Sequence, residues 1–220
     1  MSLLVHSRKV RKIGSEPKFW TKEYFRLFIS HLSTDKILAH KIKESLNFYA
    51  ISGFVAHSDI EPTKEWVSEI ELALNTCNAG IAIMSPKFHE SKWTDQEIGV
   101  IIGRDELIIP IRNGLDPYGF IGKYQAITYS DEKKLSEEIF NVLVRHEKTK
   151  KGMAYAVMTM FEASGSFSGA KRNLELVKKI EFWDDVLVKR LEKSVENNSQ
   201  IERSFGLPDS INYLLSKLKE

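Results

Sequence analysis

The sequence has a single cysteine, Cys77, in 220 residues. An intramolecular disulfide and any cysteine-rich zinc site are therefore excluded, and a reducing cytoplasm is the expected setting. No apolar run approaches the ~20 residues needed to cross a bilayer, so no membrane partner is expected. The short apolar stretch Met1–His6 is followed, not preceded, by Arg8, Lys9, Arg11 and Lys12. A signal peptide has the opposite order, and the sequon at Asn197 is accordingly not expected to be glycosylated. An excess of charge is missing too. Lys and Arg number 32 against 30 Asp and Glu, for a net charge of +2. A general electrostatic grip on nucleic acid is not expected from that balance.

Several motifs are absent. No strand-like run ends in the Gly-x-Gly-x-x-Gly turn of a Rossmann dinucleotide site. The Gly-rich segment Gly165–Lys171 fails as a phosphate-binding Walker loop, because Ala170 stands where Gly must precede the lysine and Arg172 where Ser or Thr is required. The six histidines, His6, His31, His40, His57, His89 and His146, are scattered without metal-ligand spacing, so no metal is expected.

What is present is enough apolar sequence for a real core, 42% of residues, with 28% charged. Residues 1–24 read as a polar, basic leader able to fold over the main domain. From there, short continuous apolar runs alternate with helical patterns. Phe25–Ser30, Gly53–Ala56, Gly80–Met84 and Leu107–Ile111 read as buried strands, with Ala126–Thr128 as a short fifth. Between them Leu38, Ile42, Leu46 and Tyr49 mark one helix face, with Ser33 or Asp35 as its cap. Trp66, Ile70, Ala73, Leu74 and Cys77 mark a second face. Trp93, Ile98, Ile101 and Ile102 mark a third, and Leu135, Ile139, Val142, Leu143 and His146 a fourth. Continuously apolar strands alternating with helices predict an α/β fold, a flavodoxin-like doubly wound parallel five-stranded sheet over residues 25–148. Ligands in such folds lie beyond the carboxyl ends of the strands, which singles out the loops Ser30–Asp35, His57–Thr63 and Ser85–Trp93.

Residues 149–220 change character and read as a C-terminal helical extension. Met153–Phe161 is apolar, and Ser164–Gly169 reads as a flexible loop. Leu176, Ile180, Trp183, Leu187, Leu191 and Val195 form one long stripe. Pro208 opens a last helix with Ile211, Leu214, Leu215 and Leu218 inward. A stripe of that length must pack on its own domain or on another chain.

Trp93 and Glu97 stand four apart on one helix and so share a face, which Ile101 continues. A carboxylate is thereby set in an apolar stripe near the top of the sheet, where burial is costly unless compensated or functional. Taken alone, the pair reads first as an amphipathic helix with Glu97 at its solvent-facing rim. Its context adds four segments in order. Phe28-Ile29-Ser30-His31-Leu32-Ser33-Thr34-Asp35-Lys36 resembles the first signature box of Toll/interleukin-1 receptor (TIR) domains. Asp59-Ile60-Glu61-Pro62 resembles the TIR loop after the second strand, and Trp66–Leu74 the helix beyond it. Ile83–Trp93 resembles the approach to the family's Trp-x-x-x-Glu motif, here Trp93-Thr94-Asp95-Gln96-Glu97. The resemblance covers about Phe25–His146. The chain departs from the family at Thr63, where Gly commonly follows the loop proline, and at Thr94, where Cys often follows the Trp.

Many bacterial and plant TIR domains, and some animal ones, cleave NAD at the nicotinamide–ribose bond, while receptor and adaptor TIRs bind partners only. The resemblance implies that Glu97 is the catalytic residue. It further implies a substrate-binding set of Ser30, His31, Ser33, Asp59, Trp66, Ser85, Phe88 and Trp93, with NAD as the substrate and no cofactor; Trp66 and Phe88 read equally as core packing, and Ser33 reads first as a helix cap. By analogy it implies a bacterial antiphage signalling role, a homo-oligomer whose second loop acts as a lid, and a separate effector protein that responds to the product. The alternatives are a non-enzymatic interaction module or host-mimicking adaptor, and an NAD-depleting toxin.

Overall fold

The computed structural model describes residues 17–56 and 66–218. Five strands, β1 (Phe25–Ser30), β2 (Ile51–Val55), β3 (Ala79–Met84), β4 (Leu107–Arg112) and β5 (Ile127–Thr128), pair in the order β2-β1-β3-β4-β5, and every pair is parallel. This is the flavodoxin-like order, whose topological switch lies between β1 and β3. The intervening helices are α1 (Lys36–Leu46), α2 (Trp66–Thr76), α3 (Thr94–Gly103) and α4 (Glu132–Leu143).

Alternation along each strand sends side chains to two separate cores. Leu27, Ile29, Ile81, Ile83, Ile109 and Ile111 pack against α1 and α4 on one face. Phe28, Ala82, Met84 and Ile108 pack against Ile70, Ala73, Leu74, Ile98 and Ile101 of α2 and α3 on the other. Both faces are therefore covered, which is why the strands read as continuous apolar runs. Gly80 sets the height of α3 above the sheet. A Cβ at that position would lie 2.6 Å from Ile101 Cδ1 and 3.0 Å from Ile108 Cδ1, so any larger residue would force these side chains to shift. Of the leader, residues 17–24 do lie over the domain. Trp20 is buried on the α2 and α3 side, and its indole Nε1 donates to Thr76 Oγ1 at 2.9 Å. Asp35 occupies the N-cap of α1 but accepts no capping bond.

The extension forms α5 (Lys150–Glu162), α6 (Phe167–Val177), α7 (Asp185–Asn197), α8 (Ser199–Glu202) and α9 (Leu207–Leu218). Two expectations are corrected here. The stripe from Leu176 to Val195 is not one helix: α6 stops at Val177, and Asp184 caps α7 afresh by accepting from the Leu187 N–H at 3.0 Å. Ser164–Gly169 is irregular only as far as Ser166, whose Oγ caps α6 by accepting from the Gly169 N–H at 3.0 Å. The stripe residues nonetheless all turn inward. Leu176, Ile180, Leu187, Leu191, Ile201, Leu207 and Ile211 are buried in the same apolar cluster as β1, β3, α1 and α4, and Trp183 and Val195 pack against it. Polar ties lock the helices together. Arg190 forks onto Glu162 (Nε–Oε1 3.0 Å, Nη2–Oε2 2.5 Å), and Asn173 Nδ2 donates to Met160 O and to Ser164 Oγ at 3.2 and 3.0 Å. No helix among the described residues is long and apolar enough to cross a membrane.

Because the extension shares its core with the sheet, the two are expected to unfold together. Leu187→Ala, at a fully buried site, should lower stability by about 2–5 kcal/mol. Urea transitions followed by Trp fluorescence and by far-UV circular dichroism should move together in that variant. Two separated transitions would show that the extension folds on its own.

Candidate active site

The carboxyl ends of β1 and β3 open into a cavity of about 360 Å³, lined by His31, Leu32, Ser33, Thr34, Ala56, Ile70, Lys87, Glu90, Ser91, Trp93 and Glu97. It lies at the switch point, where the chain leaves neighbouring strands in opposite directions. Glu97 comes from the first turns of α3, which follows directly from Trp93. The Glu97 N–H donates to Trp93 O at 2.9 Å, so the Trp-to-Glu spacing is one closed helical turn. The start of α3 is fixed by two hydroxyls. Ser91 Oγ accepts from the N–H groups of Trp93 and Thr94, at 3.2 and 3.4 Å, and Thr94 Oγ1 donates to Phe88 O at 2.9 Å.

Glu97 is only 5% exposed, yet it lines the cavity. Ser30, the fully buried last residue of β1, donates its hydroxyl to Glu97 Oε2 at 2.6 Å. Burial is the larger influence and pushes the carboxyl from its ordinary 4.5 up to about 7. The Ser30 hydrogen bond acts the other way, favouring the carboxylate. Near neutral pH this group therefore stands between its charged and neutral forms. Across the cavity mouth Trp93 is partly exposed, and His31 Nδ1 bonds the Ile29 carbonyl at 2.9 Å, which fixes the ring against the end of β1.

The residues read from the sequence divide in this geometry. Glu97, Trp93, His31 and Ser33 line the cavity together. Ser30 stands behind Glu97 and meets the cavity only through it. Ser85 is buried and accepts from Asn113 Nδ2 at 2.8 Å, holding the β3 and β4 ends together rather than facing a ligand. Phe88 is fully buried in the α2 and α3 core, so it offers no face for a ring to stack on, and of its two readings the structure gives packing. Asp59 and the loop 57–63 lie outside the described residues, as does the side chain of Trp66, whose backbone begins α2. Sequence reasoning missed Lys87, Glu90, Ser91 and Thr34. The loops carrying them were singled out, but an exposed polar side chain in a loop has no periodicity that reports which way it turns.

A doubly wound domain with a buried carboxylate at its switch point is the class these features define. The TIR-domain family model matches residues 27–144, and the chain belongs to that family. Among curated proteins it is similar to a probable 2′ cyclic ADP-D-ribose synthase, BdTIR of Brachypodium distachyon. The two are 23% identical over 173 residues, 76% of this chain and 77% of that protein. It is 29% identical to the 2′ cyclic ADP-D-ribose synthase BtTIR of Bacteroides thetaiotaomicron, over 41% of this chain and 33% of that one. It is 26% identical to the NAD(+) hydrolase TcpC of Escherichia coli, over 54% of this chain and 40% of that one. The chain thus spans three quarters of the plant relative but well under half of either bacterial one.

The raised acid has a consequence for stability that needs no substrate. A carboxyl with a folded value near 7 and an unfolded value near 4.5 favours the fold fully while protonated, below pH 4.5. That contribution is lost as pH rises through 7. Glu97→Gln carries no such dependence. It should be more stable than the parent at pH 8, by on the order of 3 kcal/mol, and nearly equal to it at pH 4.5. Thermal melts of both proteins across that range check the trend.

Proposed function

We propose that this TIR domain cleaves NAD at the nicotinamide–ribose bond, with Glu97 as the catalytic residue. The observation that carries this reading is the buried carboxylate in the wall of the switch-point cavity, held by Ser30. The names of the plant and bacterial relatives support the same substrate.

The chemistry suits one carboxylate. Nicotinamide in NAD is a cation that departs neutral, so the leaving group needs no proton. The C–N bond breaks with its electron pair going to the ring, and positive charge develops on the ribose, as in glycoside cleavage. A fixed carboxylate in a partly dry site stabilises that charge as it forms. The acceptor then completes the reaction. Water adds to give ADP-ribose and one released proton. An internal hydroxyl or adenine nitrogen gives a cyclic product, and a second small molecule gives a conjugate. A bound nicotinamide cation also draws the Glu97 proton off, since an opposite charge favours the ionised acid. Trp93, half-exposed at the rim, fits as an aromatic wall for the nicotinamide. A bacterial antiphage role, cytoplasmic location, self-association and a separate effector responding to the product are supported by the family resemblance alone.

Incubation of purified protein with NAD, followed by chromatography for nicotinamide, tests the reading. Glu97→Gln keeps the shape and removes the charge, and it should slow cleavage by ~10²–10³. A variant retaining half the parent rate with an intact fold would overturn the assignment. The ionised form is the active one, so kcat/KM should rise with pH to a plateau, with its inflection near 7 in the free protein. Ser30→Ala removes the hydrogen bond that favours the carboxylate. Its kcat/KM inflection should move to higher pH while the plateau falls less than in Glu97→Gln. An unmoved inflection would show that Ser30 does not control the acid.

A further inference from the structure

The cavity holds only one Lys or Arg side chain among its described lining residues, and that residue sits on strained backbone. Ser85-Pro86-Lys87-Phe88 is a tight turn closed by the Phe88 N–H donating to Ser85 O at 3.0 Å. Lys87 has φ 73° and ψ 9°, the geometry of the third residue of a type II turn after a proline. Glycine is the residue that takes this conformation without steric cost, and a long side chain there is an outlier. The turn cannot relax easily. Ser85 is tied to Asn113, Phe88 is fully buried, and the Asn113 N–H donates to Met84 O at 3.0 Å. Held strain of this kind, at a residue that lines a cavity, points from the outlier to a function.

The remaining lining explains what that function is. Glu90 and Glu97 bring negative charge, Ser33, Thr34 and Ser91 bring hydroxyls, and His31 brings an imidazole whose Nδ1 is bonded to the Ile29 carbonyl. None of these supplies a permanent positive charge to balance an anionic ligand. Lys87 does so, and its own ion pair is weak: Nζ lies 4.0 Å from Glu90 Oε2, with side chains 75% and 59% exposed. It can exchange that partner for a phosphate at little cost.

Building on the NAD reading above, we propose that Lys87 is the diphosphate anchor of the cavity, selecting dinucleotides over phosphate-free nicotinamide ribosides. The ammonium pairs with a phosphate oxygen while the hydroxyls of Ser33 and Thr34 donate to the same group. The strained turn fixes the backbone from which that side chain extends.

The test uses Lys87→Gly and Lys87→Asn, since both residues tolerate positive φ. Neither variant should lower the melting temperature, so loss of fold does not confuse the result. KM for NAD should rise about 10–100-fold with kcat little changed, the size expected for losing a charge-assisted bond. Cleavage of nicotinamide riboside, which has no phosphate, should keep its parent kcat/KM. Calorimetric titration of ADP-ribose should show the same 10–100-fold weakening, measured apart from any turnover. Equal losses for NAD and nicotinamide riboside would overturn the anchor, as would unchanged ADP-ribose affinity or a parent protein that binds none. Parent protein that binds ADP-ribose through Lys87 yet leaves NAD intact would keep the anchor and overturn the enzymatic reading instead.

Discussion

A carboxylate buried behind a strand end is the constraint around which this molecule is arranged. Glu97 loses most of its hydration and recovers one hydrogen bond, from Ser30. That exchange is unfavourable to the charged form, and the raised pKa records it. The position persists because the elements on either side are fixed independently of it. Ser30 is the last residue of a strand hydrogen-bonded on both edges, to β2 and to β3. α3 is seated by Ile98 and Ile101 in the core and drawn close by the missing side chain at Gly80. With both partners placed by packing, the carboxyl has no freedom to swing out to water. A carboxyl kept partly discharged in the free protein is one that a nearby positive charge can ionise.

The same logic separates what could be read from the sequence and what could not. Strand runs such as Gly80–Met84 were legible because burial on both faces leaves no other composition possible. The Trp93-to-Glu97 spacing was legible because a helix turns the two residues to one side whatever surrounds them. Phe88 was legible only as two equal readings, packing or ligand contact. Pro86, Lys87, His89 and Glu90 around it are exposed, and the turn at Lys87 sends this ring back into the core. Lys87 itself was invisible for the complementary reason: its significance lies in a backbone angle, and residue identity alone announces a positive φ only when the residue is glycine or asparagine.

The extension shows how a correct pattern can carry an incorrect element. Leu176 to Val195 keeps helical spacing across Lys178–Asp184, because Ile180 and Trp183 are buried or half-buried from an irregular segment that happens to continue the phase. The signal of a break was present in Asp184-Asp185, where an N-cap and an acidic first turn stand before Leu187. Periodicity reports which residues face the core; it does not report that one helix supplies them all.

That core is shared, and the sharing limits where chemistry can occur. The extension packs its apolar residues into the cluster formed by α1, α4 and the strands between them. The cluster on the other side of the sheet is closed by α2, α3 and Trp20. A ligand can enter neither layer without displacing fully buried side chains. The carboxyl ends of β1 and β3 are different, because the chain leaves them in opposite directions and, among the described residues, no helix spans the gap. With both faces of the sheet covered, the switch-point crevice is where a cavity reaches the buried carboxyl of Glu97. Thickening the molecule on the α1 and α4 side therefore adds stability at a distance from Glu97, and leaves the strained turn at Lys87 and the buried carboxyl on the opposite side of the sheet from that added core.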